Sequence, residues 1–440
     1  TLSANATELV TGGGVLPFRL VPKIPLNRSY FDPSSARFFS KRAVTARGTA
    51  GAEGFTVRTL WPEDFRLTAG APHRALPATG SPAKSLRGLM REENRGGAQS
   101  PFVANTLWQR GDGQADGRAG GGDWSGRTVL AFMVNGAQGD DDEAHGGHFA
   151  IVTGCIETDG SIGNWLVNDF YTLDAESEKG ILAAPVTLDN YLADLNAGQS
   201  WYRPSYMVVA VLSIPRAAEL VQSALGRVYN QFYRHQLSYY HPDQNCTSIS
   251  IDTMRALGWD VPERGPTSRL LAVLGFPFLA VREGSIAKAK LAFDYLVTDQ
   301  TRMMPAAALE EIFGGLLALG RDASTGLRAG GPLERMLAAD LDSLAYLRFP
   351  QIPSSRALGA APAVTTREYR MMVPDDPALA KIVPVPPRPF PGELRDPDLI
   401  PPPLPPSEIA AMVWGVVLIV GIPWVAWRLW RRWRGRDAAT

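Results

Sequence analysis

Cysteine is almost absent from this chain, with Cys155 and Cys246 the only two in 440 residues. Two thiols exclude the multi-bridge framework of a small secreted domain, so the pair is bridged once, inert, or includes one reactive sulfur. Imidazoles are equally scarce: His73, His145, His148, His235 and His241 are the whole supply. Lysine is nearly missing, seven residues against 37 arginines, and with abundant alanine, glycine and proline this reads as coding from a GC-rich bacterial genome. Neither sign of charge is in excess (44 basic, 44 acidic), which excludes a bulk electrostatic pull toward nucleic acid.

Apolar runs long enough to span a membrane are missing until the far C-terminus. There "IAAMVWGVVLIVGIPWVAW", residues 409 to 427, is 19 residues without a charge, followed by "RLWRRWRGR". About 20 apolar residues cross a hydrocarbon core of about 30 Å, so a single membrane span is expected over 408–428, with Pro423 tolerable inside it. Trp424, Trp427, Trp430 and Trp433 suit the interfacial belt, and the arginines of the 429–440 tail suit the cytoplasmic side. The expected location is the inner membrane, single-pass, with the main domain on the periplasmic or outer side. That orientation needs an export signal, which the opening "TLSANATELV" does not supply. Residues 350–407, including "VPVPPRPFPGELRDPDLIPPPLPPSE", are too rich in proline to pack a core and read as an extended spacer.

Residues 1–126 are short apolar stretches broken by Gly, Pro and Ser, an irregular region with some strand. Pattern and chemistry coincide in 127–262. "RTVLAFMVNG", "HFAIVTGCIE", "GNWLVNDFYTL" and "YMVVAVLSI" read as strands, and "RAAELVQSALGRVYNQFYRHQL" as a long helix, so an α+β core with an antiparallel sheet beside helices is expected. Residues 263–349 read as a helical extension, with patterns near 285–298, 304–319 and 331–347. The run from Leu270 to Val281 is too short to span. It reads most simply as core, with a surface dipping into lipid as the other reading.

The stretch "YYHPDQNCTSISIDTMRALG" places Cys246 after turn residues and at the head of a helical pattern that Gly258 stops. A thiol there has its pKa lowered by the helix dipole, and a neighbouring imidazolium lowers it further. His148 opens a strand behind Gly146 and Gly147, with Cys155 on the opposite face. Cys246 is therefore expected to alkylate readily near pH 6, and Cys155 slowly. A third polar group to orient the imidazole is expected across a hairpin at Asn168 or Asp169. Asn245 either caps the helix or adds a donor, and the Cys246 amide is a candidate oxyanion donor.

"GGHFAIVTG", followed about a hundred residues later by "NCTSISIDTMRALG", resembles the circularly permuted papain-like thiol enzymes. In these a strand histidine precedes a helix-start cysteine, the reverse of papain and of the unpermuted NlpC-type cell-wall peptidases. Lecithin:retinol acyltransferase-like proteins share the permuted order, as do envelope proteins similar to the Lnb-type lipoprotein N-acyltransferases, whose cysteine also lies in an Asn-Cys-Thr context. The resemblance covers about 120 residues. It implies Cys246 as nucleophile, His148 as general base and acid, and acyl transfer on an envelope peptide, lipid or lipoprotein, without a cofactor.

Two other classes compete. "GDDDEAHGGHF" offers His145 and His148 with Asp140 to Glu143 as a metal site, although residues three apart on a strand face opposite sides. A membrane-tethered binding or scaffold module could also keep such a fold without catalysis. Whether the His148 and Cys246 side chains come within hydrogen-bond reach separates this from an enzyme.

Overall fold

The computed structural model describes residues 8–19, 42–52, 54–76, 81–92, 102–111, 123–136, 147–171, 183–194, 205–322, 330–350, 421 and 423–428. The described residues fall into two compact units, one within Thr1–Thr267 and Val297–Asp396, the other within Ser268–Leu296 and Pro397–Thr440.

In the first unit, β1 (Glu8–Thr11), β2 (Gly14–Arg19), β3 (Val44–Gly51) and β4 (Gly54–Pro62) make a small sheet in the order β1-β2-β4-β3. Helix α1 (Pro82–Arg91) follows. The main sheet takes β5 (Val103–Gln109), β6 (Thr128–Asn135), β7 (His148–Cys155), β8 (Leu166–Asp169) and β9 (Ala184–Thr187). After the short helix α2 (Leu188–Ala193) come β10 (Ser205–Leu212), α3 (Arg216–Tyr233) and α4 (Cys246–Ala256). Helices α5 (Arg269–Arg282) and α6 (Ile286–Val297) form a hairpin within the second unit, with only Val297 of α6 outside it. The first unit then closes with α7 (Gln300–Met303), α8 (Pro305–Asp322), α9 (Pro332–Asp340) and β11 (Leu341–Phe349).

The main sheet has the order β5-β11-β10-β6-β7-β8-β9, every neighbouring pair antiparallel. Its central strands, "TVLAFMVN" and "SYMVVAVL", are apolar on both sides because both faces are covered. Leu130, Phe132, Phe149 and Ile151 pack with Val221 and Leu225 of α3, Ile249 and Ile251 of α4, and Ile312 and Phe313 of α8. Met133, Ala150 and Val152 pack on the other face with Val57, Leu60 and Trp61 of the small sheet. The architecture is α+β, as the strand and helix patterns predict.

Three expectations need correction. The pattern at 331–347 is helix only to Asp340. Gly331 and Pro332 start α9, and then "LDSLAYLRF" continues as β11, a buried strand wedged between β10 and β5. The sheet of the 127–262 core is therefore completed by strands from the regions on either side of it. The run from Leu270 to Val281 is not core: within α5 only Ala272 is buried.

Among the described residues no helix is long and apolar enough to cross a membrane. The expected linker, span and tail lie outside the described residues, apart from Pro350, Gly421 and the short helical stretch 423–428, where the Arg428 guanidinium stacks 4.4 Å over the Trp424 ring.

Candidate active site

Cys246 is the first residue of α4, and Asn245 puts it there. The Asn245 backbone is extended, and its Oδ1 accepts from the Thr247 and Ser248 amides at 2.8 and 2.9 Å. Ser248 Oγ in return accepts from the Asn245 amide at 2.8 Å, which closes a capping box. One N–H of the Asn245 amide donates to the His241 carbonyl at 2.6 Å. Asn245 is thus the helix cap, the first of the two roles expected for it. Arg302 of α7 fastens the turn to the helix by binding Asp243 at 2.5 Å and Asp252 at 2.7 Å.

His148 is the first residue of β7, reached through Gly147 at φ +86°, a conformation that favours a residue without Cβ. The register pairs Ile151 with Asn168, which sets Asp169 diagonally across from His148 on the same face. His148 Nε2 meets Asp169 Oδ1 at 2.5 Å, both side chains almost fully buried. Asn168 points to the other face, where its amide binds the Ile151 carbonyl at 3.1 Å and pairs with Gln222 of α3 at 2.8 and 3.0 Å. Asp169 is therefore the one of the two expected residues that stands beside the imidazole. Asn168 ties β8 to α3, and its assignment to the site is corrected.

Burial at the N-terminus of α4 pushes the Cys246 thiol up. The charge and hydrogen bond of His148, the Phe149 amide and the Thr247 hydroxyl outweigh this, and hold the thiol below its ordinary value. Burial pulls His148 down, but the Cys246 and Asp169 charges and hydrogen bonds raise it to about 10. Each group thus favours the charged form of the other, a thiolate–imidazolium pair within hydrogen-bond reach. The His148 Nε2 and Asp169 Oδ1 atoms are both buried, and their close approach is an ion-pair contact.

Sequence reading missed Tyr239. The Cys246 amide, a candidate oxyanion donor, already donates to the Tyr239 hydroxyl at 3.4 Å. Burial and then the Cys246 charge push the phenol well above its usual range, so it stays protonated and donates toward the sulfur. Its seven-residue separation from Cys246 in an irregular turn gave no periodic signal. Also missed was a buried polar layer beside His148. Tyr191 donates to Asn135 Oδ1 at 2.5 Å, Asn135 donates to Ser205 Oγ at 2.8 Å, and Asn135 lies opposite His148 in the register. The Tyr171 and Tyr191 rings flank the imidazole, each 6.4 Å away.

Both cysteines are free. Cys155 is exposed and Cys246 buried. His145 and Asp140 to Glu143 lie outside the described residues. Among the described residues no cluster of His, Cys, Asp and Glu could hold a metal. A cavity of about 360 Å³ lies by Arg255, Trp259 and Val261, beyond the C-terminal end of α4 from Cys246. A buried thiol held below its ordinary value, a histidine raised above its own and a carboxylate beside it are the parts needed to attack a carbonyl and to return a proton to a leaving group. The chain matches no protein-family model, no curated protein and no solved structure.

Proposed function

We propose that this protein is a membrane-anchored thiol enzyme of the circularly permuted papain-like kind, which transfers an acyl group through a thioester on Cys246. The observation that carries the reading is the convergence of a helix-start thiol, a strand histidine and Asp169 at one buried point. The Cys246 thiolate attacks an amide or ester carbonyl, and the electron pair moves to the carbonyl oxygen. Collapse of this intermediate expels the leaving group, which takes its proton from His148. An acceptor then gives its proton to His148 and attacks the thioester, which frees the thiolate. Water as acceptor makes a hydrolase of envelope peptide, and an amine makes a lipid or lipoprotein N-acyltransferase. Tyr239 and the Cys246 amide are the nearest groups to steady the oxyanion.

The apolar run 409–427 with its arginine-rich tail supports a single span that holds the enzyme on the outer side of the inner membrane. The close approach of His148 to Cys246 weighs against a scaffold that merely keeps the fold.

Intact-mass analysis of the protein recovered from membranes tests the reading. The expected result is a hydroxylamine-labile adduct on wild type that Cys246→Ala lacks. Its mass separates fatty acyl from peptide. An adduct carried equally by Cys246→Ala would refute the thioester.

A further inference from the structure

Helix α5 carries apolar side chains on two faces. Toward α6 it turns Ala272 and Phe276, the latter edge-to-face with Phe293 at 6.1 Å between ring centroids. Away from α6, Leu270, Leu271, Val273, Leu274, Phe278 and Val281 are 69, 58, 45, 48, 64 and 84 % exposed. At about 100° per residue these six cover an arc of about 160°. No charge falls between Arg269 and Arg282. A helix that only covers a core would put polar residues on that outer arc, and this one does not.

The dimensions and the charges indicate what covers the arc. Fourteen residues make a helix of about 21 Å, short of the roughly 30 Å needed to cross a hydrocarbon core. It suits a helix lying in the interface. The hairpin carries Arg269, Arg282, Lys288 and Lys290 against Glu283 and Asp294, an excess of 4 − 2 = 2 positive charges; the well exposed Arg282 and Lys288 share Glu283, and Lys290 pairs with Asp294 at 2.6 Å. An apolar arc with basic ends complements anionic headgroups over acyl chains. The same chain holds the 19-residue uncharged run 409–427, long enough to reach across a bilayer.

The hairpin is closed at its base by the Ser268 amide bound to the Leu296 carbonyl at 3.1 Å. Its root in the first unit is fixed by Asp299, whose carboxylate accepts from the Arg264 and Gly265 amides at 3.0 and 2.9 Å.

We infer that the α5–α6 hairpin is a lipid-binding element: α5 lies in the bilayer interface with Leu270, Leu274, Phe278 and Val281 among the acyl chains, and the basic residues meet anionic headgroups. A second copy of the chain is the competing occupant.

The test uses the full chain with Cys155→Ser, Cys246→Ser and Phe278→Cys, labelled with an environment-sensitive fluorophore and reconstituted in phosphatidylcholine–phosphatidylglycerol vesicles. The control carries the label at Ser223→Cys, exposed on α3. Spin-labelled lipid should quench the 278 label roughly threefold or more while aqueous iodide spares it, and the 223 label should behave oppositely. Equal iodide quenching at both positions, without lipid quenching, would overturn the inference. So would pyrene excimer emission from position 278 that rises with protein density in place of lipid quenching, because that identifies a second copy. Since the test protein lacks Cys246, the result is independent of the proposed thioester chemistry.

Discussion

Replacing His148 by Gln removes the cation beside Cys246 while keeping the α4 dipole and the cap. Two unit charges about 4 Å apart interact by about 4 kcal/mol at an effective dielectric near 20, which is on the order of 10³ in thiolate fraction at a pH where the variant thiol is mostly protonated. The rate falls less than the fraction, because a more basic thiolate is a better nucleophile with a Brønsted slope of about 0.45, which returns about twentyfold. The expected net loss in iodoacetamide rate at pH 6 is therefore roughly 40-fold. The measurement belongs in a Cys155→Ser background, since Cys155 is the exposed thiol, with intact mass as the readout. Burial adds a second signature. For an exposed cysteine the variant would titrate near the ordinary thiol value, but the buried Cys246 is pushed above it once His148 no longer compensates. The variant's rate should keep climbing through alkaline pH after wild type has levelled. Superimposable profiles would mean that His148 does not hold the thiolate, and the site assignment would collapse.

Asp169→Asn should slow acylation by an activated p-nitrophenyl ester by on the order of 10²-fold or more, because the imidazole loses the carboxylate that fixes and charges it. Asn168→Ala should instead cost about 1–3 kcal/mol of stability by stranding Gln222, and leave the rate per folded molecule near wild type. Equal rate losses in the two variants would contradict the division of roles. The pH dependence of stability has a definite sign. His148 titrates at about 10 folded against an ordinary 6.5, so its contribution is full below about 6.5 and disappears as pH rises through about 10. The Tm gap between wild type and His148→Gln should close between pH 6 and pH 10, and a constant gap would refute the assigned shift.

The local parts of the site could be read from the sequence, whereas those set by distant pairing could not. "DQNCTS" announces a capped helix, and α4 begins at Cys246 because Asn245 has the side chain for it. His148 at the head of an apolar strand was equally plain. The choice between Asn168 and Asp169 depends on which face each occupies relative to His148, and that follows from the register of β7 on β8, which no single strand encodes. Tyr239 sits in a turn without periodicity. The β11 strand was hidden because "RMLAADLDSLAYLRF" keeps helical spacing across the helix end, and burial between β10 and β5 decides its conformation. The α5 run misled for a different reason: hydrophobicity specifies that a surface avoids water, but not what covers it.

The late position of β11 in the chain has a consequence for biosynthesis. Among the described strands, β5 pairs with β11, which is separated from it by more than 200 residues of sequence. A ribosome that has finished the cysteine helix has therefore made every residue of the proposed nucleophile, base and orienting acid, yet β5 has only the short bridge of His73 to Thr106, and its other edge, like one edge of β10, stays unpaired. Contacts of such long sequence separation form slowly, because loop closure must precede them. The nascent chain thus passes through a stage with an open, apolar strand edge, the kind of surface that aggregates or engages a chaperone. A fragment cut before Leu341 would be arrested at that stage, with its chemistry encoded but its sheet unfinished.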